Sequence, residues 1–167
     1  AIPILQRLEK TYGNLVIWEG PIDGVEENRR LQQAVELPIV HHADSLGTQI
    51  LDDCCDGYVL GGGASEVLQK GIVLAAFDKP FWLQMAGSDI TAAFSMHFAA
   101  VQSHANWPAV NTHQLYARNL LATPIEVSGG TAAIPDGPGL GVEIDEDALA
   151  ELRISEPYGG FDPPRMI

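Results

Sequence analysis

The chain has 167 residues and carries 22 acidic against 9 basic side chains, a formal charge of −13; an acid surplus of that size repels phosphate backbones and argues against a nucleic-acid partner. Hydrophobic residues at 46% and charged residues at 19% suit an α/β domain with a buried sheet and exclude a disordered chain. No apolar run approaches the ~18 residues of a membrane span, and the start lacks the basic-then-apolar layout of a signal peptide, so a cytoplasmic protein with no membrane partner is expected.

Taken in order, Ile2 to Tyr12 places apolar residues at helical spacing, and Gly13 stops the pattern. Leu15-Val16-Ile17-Trp18 is a continuous apolar run, as a parallel strand covered on both faces requires, and Glu19-Gly20-Pro21 ends it. Val25 to Val35 reads as a helix with a polar face. Leu37 to His41 is the next strand, its proline suited to a strand start, and a helix follows from about Ser45 to Leu51. Tyr58-Val59-Leu60 runs into Gly61-Gly62-Gly63. Ala64 to Phe77 is a helix whose apolar face is expected at Val67, Leu68, Ile72, Val73 and Ala76. Phe81 to Gln84 is a fourth strand, Ile90 to Val101 a helix, and Ala109-Val110-Asn111 a weaker fifth strand.

The alternation then stops. Ile125 to Val127 and Thr131 to Ile134 flank Gly129-Gly130, a pair that permits the positive φ of a primed hairpin turn. A short acidic helix, Glu146 to Leu152, comes next, and Tyr158 to Pro164 reads as an irregular tail. This divides the chain into βα units over residues 1–123 and a closing segment over 124–167. Repeated βα units fit a barrel or a doubly wound sheet equally, and periodicity does not separate the two.

The adjacent cysteines Cys54 and Cys55 have no CxxC spacing and suggest neither a disulfide framework nor zinc. Gly61 to Gly63 fits either an anion cradle ahead of a helix or a tight strand-to-helix turn. His97 lies on an apolar helix face, where a satisfied core histidine is commoner than a ligand. His41, His42 and Asp44 offer nitrogen and oxygen donors, but alternate side chains of an extended segment point opposite ways, so at most one of the two histidines faces a site. Nucleophile-elbow, P-loop and dinucleotide signatures are missing.

Three segments resemble the enolase superfamily, within it the mandelate racemase / muconate lactonizing enzyme group. They are Val16 to Pro21, like the strand whose glutamate binds the metal; Ile90 to Ala100, like an alanine-rich helix with an embedded histidine; and Gly129-Gly130 through Pro135-Asp136-Gly137-Pro138-Gly139-Leu140-Gly141-Val142, like the closing segment that returns toward a capping domain. The resemblance implies the C-terminal part of a (βα) TIM-like barrel, with parallel strands, a closing hairpin and a helix. It implies magnesium-assisted abstraction of a proton next to a carboxylate, by a racemase, cycloisomerase or acid-sugar dehydratase. The metal would be held by acidic side chains and would neutralise developing charge.

Carried over residue by residue, the resemblance makes Glu19 the metal ligand. His42 and Ala43 stand where a further acidic ligand is expected, with Asp44 just beyond as a substitute. His42 and Asp44 are the candidates for catalysis. The remaining ligand and a Lys-x-Lys pair would lie before Ala1. The expectation is therefore an incomplete or degenerate isomerase or lyase acting on a small carboxylate, or else a non-catalytic half barrel. In either case a second copy or a complementing barrel half is the expected partner.

Overall fold

The computed structural model describes residues 1–153. Its backbone is one five-stranded parallel sheet in the order β1-β2-β3-β4-β5. The strands are β1 (Trp18–Glu19), β2 (Ile39–His42), β3 (Gly57–Leu60), β4 (Phe81–Met85) and β5 (Val110–Asn111). The helices are α1 (Ile2–Thr11), α2 (Val25–Gln32), α3 (Leu46–Asp52), α4 (Ala64–Ala76), α5 (Asp89–Ala100) and α6 (Glu146–Leu152), with a 3-10 turn at His113–Leu115.

The strand order decides between the two architectures that periodicity leaves open. A doubly wound sheet reverses its order at a switch point and puts helices on both faces. Here the order never reverses, and residues from α2, α3 and α4 share one core with one face of the sheet: Leu31, Leu46, Ile50, Val67 and Leu74 pack with Ile39, Tyr58, Leu60, Phe81, Leu83 and Met85. Val40, Val59 and Trp82 face the other way, covered by Ile17 and Trp107. Helices outside and a separate apolar layer inside make this the curled C-terminal part of a (βα) barrel.

Glycine makes the inner layer possible at one point. A Cβ on Gly57, at the start of β3, would collide with the Trp107 ring and come within 2.8 Å of Pro80 O. The space it leaves lets Trp107 approach Trp82, with ring centroids 6.1 Å apart.

Four expectations need correction. The strand expected over Leu15–Trp18 pairs only from Trp18. Its partner β2 starts after Pro38, whose carbonyl accepts from Trp18 N at 2.9 Å, so earlier residues have nothing to pair with and Val16 is 68% exposed. The helix expected to reach Val35 ends at Gln32. On α4 the buried side is Val67, Gly71 and Leu74, while Leu68, Ile72 and Val73 are exposed, because the sheet sits over the i, i+4, i+7 line. The hairpin shrinks to one bridge, Ser128 to Thr131, closed by Gly129 and Gly130 at φ +58° and +78°; the flanking runs form no strands.

The closing segment and the residues just ahead of it are tied to α5. Asp89 accepts from Leu120 N and Leu121 N, and His97 Nε2 donates to Leu140 O at 3.0 Å. Leu121 bridges Ile144 antiparallel. Asp145 then caps α6, its carboxylate accepting from Ala148 N at 2.9 Å. The expected tail at Tyr158–Pro164 lies outside the described residues. No helix among the described residues is long and apolar enough to cross a membrane.

Candidate active site at the strand ends

Alternation along the short strands sets which side chains reach the inner mouth. On β1, Trp18 packs outward and gives its Nε1–H to Glu9 Oε1 at 2.8 Å, so Glu19 points inward. On β2, Ile39 is outward and Val40 inward, which sends His41 out and His42 in. The two strands are paired in register, Glu19 beside Val40. Glu19 Oε1 thereby meets His42 Nε2 at 3.1 Å, with both side chains part-exposed at the C-terminal ends of their strands.

His41 serves the outer layer. Asn28 of α2, itself 3% exposed, donates from Nδ2 to Ile22 O at 3.0 Å and Gly24 O at 2.7 Å. Its amide hydrogens are then used, so Oδ1 is the acceptor and His41 Nε2–H the donor in their 2.9 Å contact. Burial depresses the His41 pKa; Asp23 opposes that and His42 adds to it. This Asn28–His41 clamp holds the loop that follows Glu19. Nothing in the local pattern of α2 announced it, because Asn28 reads as one more polar residue on a polar helix.

Asp44 follows in the exposed turn before α3 and does not join Glu19 and His42. No group of three or more His, Cys, Asp or Glu side chains able to share a metal occurs among the described residues. Gly61 to Gly63 forms the tight turn: Gly62 sits at φ +110° and the Glu66 carboxylate folds back against it. A carboxylate in that place, itself held by Lys70 Nζ at 2.7 Å, leaves little reason for a second anion. Gln84, which sequence reasoning passed over, shares the inner face with Trp82 and accepts from its Nε1–H at 3.3 Å. Cys54 and Cys55 are free and buried, and burial pushes the Cys55 thiol up to about 11, which keeps it protonated and unreactive.

A curled parallel half barrel with a carboxylate–imidazole contact at its mouth is the C-terminal piece of a barrel-enzyme domain. Residues 1–148 match the model of the enolase C-terminal domain-like family, and the chain belongs to that family, within the mandelate racemase / muconate lactonizing enzyme group. Among curated proteins, the D-galactarolactone cycloisomerase of Agrobacterium fabrum is 48% identical over 46 residues, 28% of this chain and 12% of the relative. A dipeptide epimerase from Cytophaga hutchinsonii, solved with Mg and the dipeptide D-Ala-L-Val, superposes with a TM-score of 0.76 at 20% identity. That alignment covers 92% of this chain and 45% of the epimerase. A mandelate racemase/muconate lactonizing family protein from Azoarcus sp. EbN1 gives 0.76 at 23% identity, covering 90% and 46%. The chain thus spans less than half the length of these structural relatives.

Magnesium asks for near-octahedral oxygen coordination. Among the described residues no third His, Cys, Asp or Glu joins Glu19 and His42 in a group able to hold the ion, and Glu19 is already in contact with a nitrogen donor. By itself this donor set does not fit the ion.

Proposed function

We propose that this chain supplies the C-terminal strands of a barrel enzyme that removes a proton from the carbon next to a carboxylate, as a racemase, cycloisomerase or acid-sugar dehydratase, and that it is catalytically incomplete alone. The observation that carries the reading is the 3.1 Å contact of Glu19 with His42, at the strand ends where barrel enzymes place their chemistry. With Nε2–H donating to Glu19, His42 keeps the Nδ1 lone pair as a proton acceptor. The carboxylate fixes the ring's tautomer and orientation, as the third member of an acid–base set does. His42 Nδ1 takes the proton, and Glu19 holds His42 in place. The substrate class is a small carboxylate.

Magnesium, if a closed barrel binds it, would supply charge neutralisation at the substrate carboxylate. Glu19 can give it one ligand, and the others must come from groups this mouth does not hold. One observation favours a second reading, a non-catalytic half barrel: no three-ligand group forms among the described residues.

Deuterium uptake at the carbon next to the carboxylate, followed by NMR in D2O on a sugar-acid lactone and a dipeptide, tests both readings. The chain alone is expected to exchange nothing, with or without magnesium. Completed with the missing barrel strands, it is expected to exchange, and His42→Gln and Glu19→Gln to abolish exchange with the melting temperature nearly unchanged. Exchange that survives both substitutions sinks the assignment. A completed, folded barrel that exchanges neither substrate favours the second reading.

A further inference from the structure

A helix packed on a sheet normally turns a polar face to water; the last two turns of α4 do not. The sheet covers Val67, Gly71 and Leu74. That leaves the opposite side to Ile72, Val73, Ala76 and the capping Phe77, all exposed, Ile72 by 69% and Phe77 by 55%. Residues three and four apart on a helix are neighbours, so these four form one block and not a scatter. The end of α5 lies beside them. The Gln102 side chain occupies the space a Cβ on Gly71 would need, and Val101, just before it, is 74% exposed.

Together the five side chains present about 500 Å² of apolar surface, in the upper part of the range for single patches on monomers. The charge around the patch selects what covers it. The chain carries −13 overall, so most faces of two copies repel each other. Here the bordering acids are engaged: Lys70 Nζ holds Glu66 at 2.7 Å, Lys79 Nζ holds Asp53 at 2.8 Å, and Asp78 accepts from His104 Nε2 at 3.0 Å. A basic partner is drawn instead to the acid-rich remainder of the surface, and an acidic one meets lysines already taken by acids. An identical apolar block suits this face, because the two meet with few like charges between them.

We propose that the outer face of α4, with the end of α5, is the contact between two copies of this chain, related by a two-fold axis near Val73 and Ala76. The two α4 helices cross there, and Ile72 and Phe77 of one copy fill the spaces between those of the other. The pair buries about 1,000 Å², the low end for a specific interface. Association is therefore reversible, with a dissociation constant of about 10–100 µM. Because α4 runs back from the end of β3 to the start of β4, its last turns lie at the opposite end of the sheet from Glu19 and His42. The mouth stays open in the dimer, so the proposal is independent of the proton-abstraction reading.

Sedimentation of the 167-residue chain from about 5 µM to about 1 mM tests it, with a monomer–dimer equilibrium expected inside that range. Ile72→Lys and Ile72→Glu are each expected to weaken the dimer by about tenfold or more, since each places two like charges at the contact. Residue 72 faces water in the single chain, so melting temperatures at low concentration should stay near wild type, which shows that both variants fold. An equimolar mixture of the two variants is expected to regain the dimer as a mixed pair. Leu51→Lys, at an exposed apolar position on α3, is expected to leave association unchanged. A chain that stays monomeric to about 1 mM overturns the proposal. So does a dimer that survives Ile72→Lys, because another surface, such as a sheet edge, then makes the contact. Equal weakening by Leu51→Lys overturns it in favour of unspecific apolar association, and a mixture that does not recover overturns the two-fold arrangement. None of these arms reads activity, so failure of the proposed proton abstraction leaves this result standing, and the reverse holds too.

Discussion

Asp89 opens α5 yet is 2% exposed, and its carboxylate holds the backbone just ahead of the closing segment. Leu120 N–H lies 3.2 and 3.0 Å from its two oxygens, and Leu121 N–H lies 3.1 Å from Oδ2. Asp89→Ala leaves both backbone donors without their acceptor, Leu121 in a buried position and Leu120 in a part-buried one. Hydrogen bonds to a charged group contribute about 1.5–3 kcal/mol each, so two effective bonds represent about 3–6 kcal/mol. The segment can shift outward and hydrate part of that loss, which brings the expected cost to about 3 kcal/mol. With a urea slope of about 2 kcal/mol/M, the unfolding midpoint should fall by about 1.5 M. Asp89→Asn keeps one carbonyl oxygen but turns an NH2 toward Leu120 N, so it should cost about half as much. Urea titration by circular dichroism gives the midpoints, and hydrogen exchange at Leu120 and Leu121 localises the effect. An alanine variant within ~0.5 kcal/mol of wild type, or an asparagine variant worse than alanine, would refute the reasoning.

His41 offers a pH test: burial holds its folded pKa below the ordinary value, so the unfolded chain binds the extra proton. The stability this contributes is complete above the unfolded value of about 6.5 and is lost as pH falls through it toward the folded value. Unfolding free energy should therefore decline from about pH 7 to pH 5, less steeply in His41→Gln; an NMR titration midpoint for His41 at or above the ordinary value contradicts this. Gly57→Ala should destabilise by about 1–3 kcal/mol, because its Cβ meets Trp107 and the backbone of Pro80. Thermal melting checks it, and an unchanged or raised melting temperature would show that the inner layer is not closed around that glycine.

The βα alternation was legible in the sequence because strand and helix impose different spacings on apolar residues, and Pro21, Gly13 and Gly61 mark where elements stop. The primed turn at Gly129-Gly130 was legible because positive φ favours glycine, and the short acidic helix Glu146–Leu152 was legible too, whereas its cap at Asp145 came only with the structure. Tertiary structure decided the rest. Whether the units curl or reverse depends on strand order, which no local pattern encodes. Pairing moved β1 to Trp18–Glu19, because Pro38 sets where β2 begins. Packing chose Gly71 and Leu74 of α4 over Ile72, since an apolar residue is indifferent to which apolar neighbour covers it. The sequence named Glu19 and His42 one by one, but only parallel register puts them 3.1 Å apart.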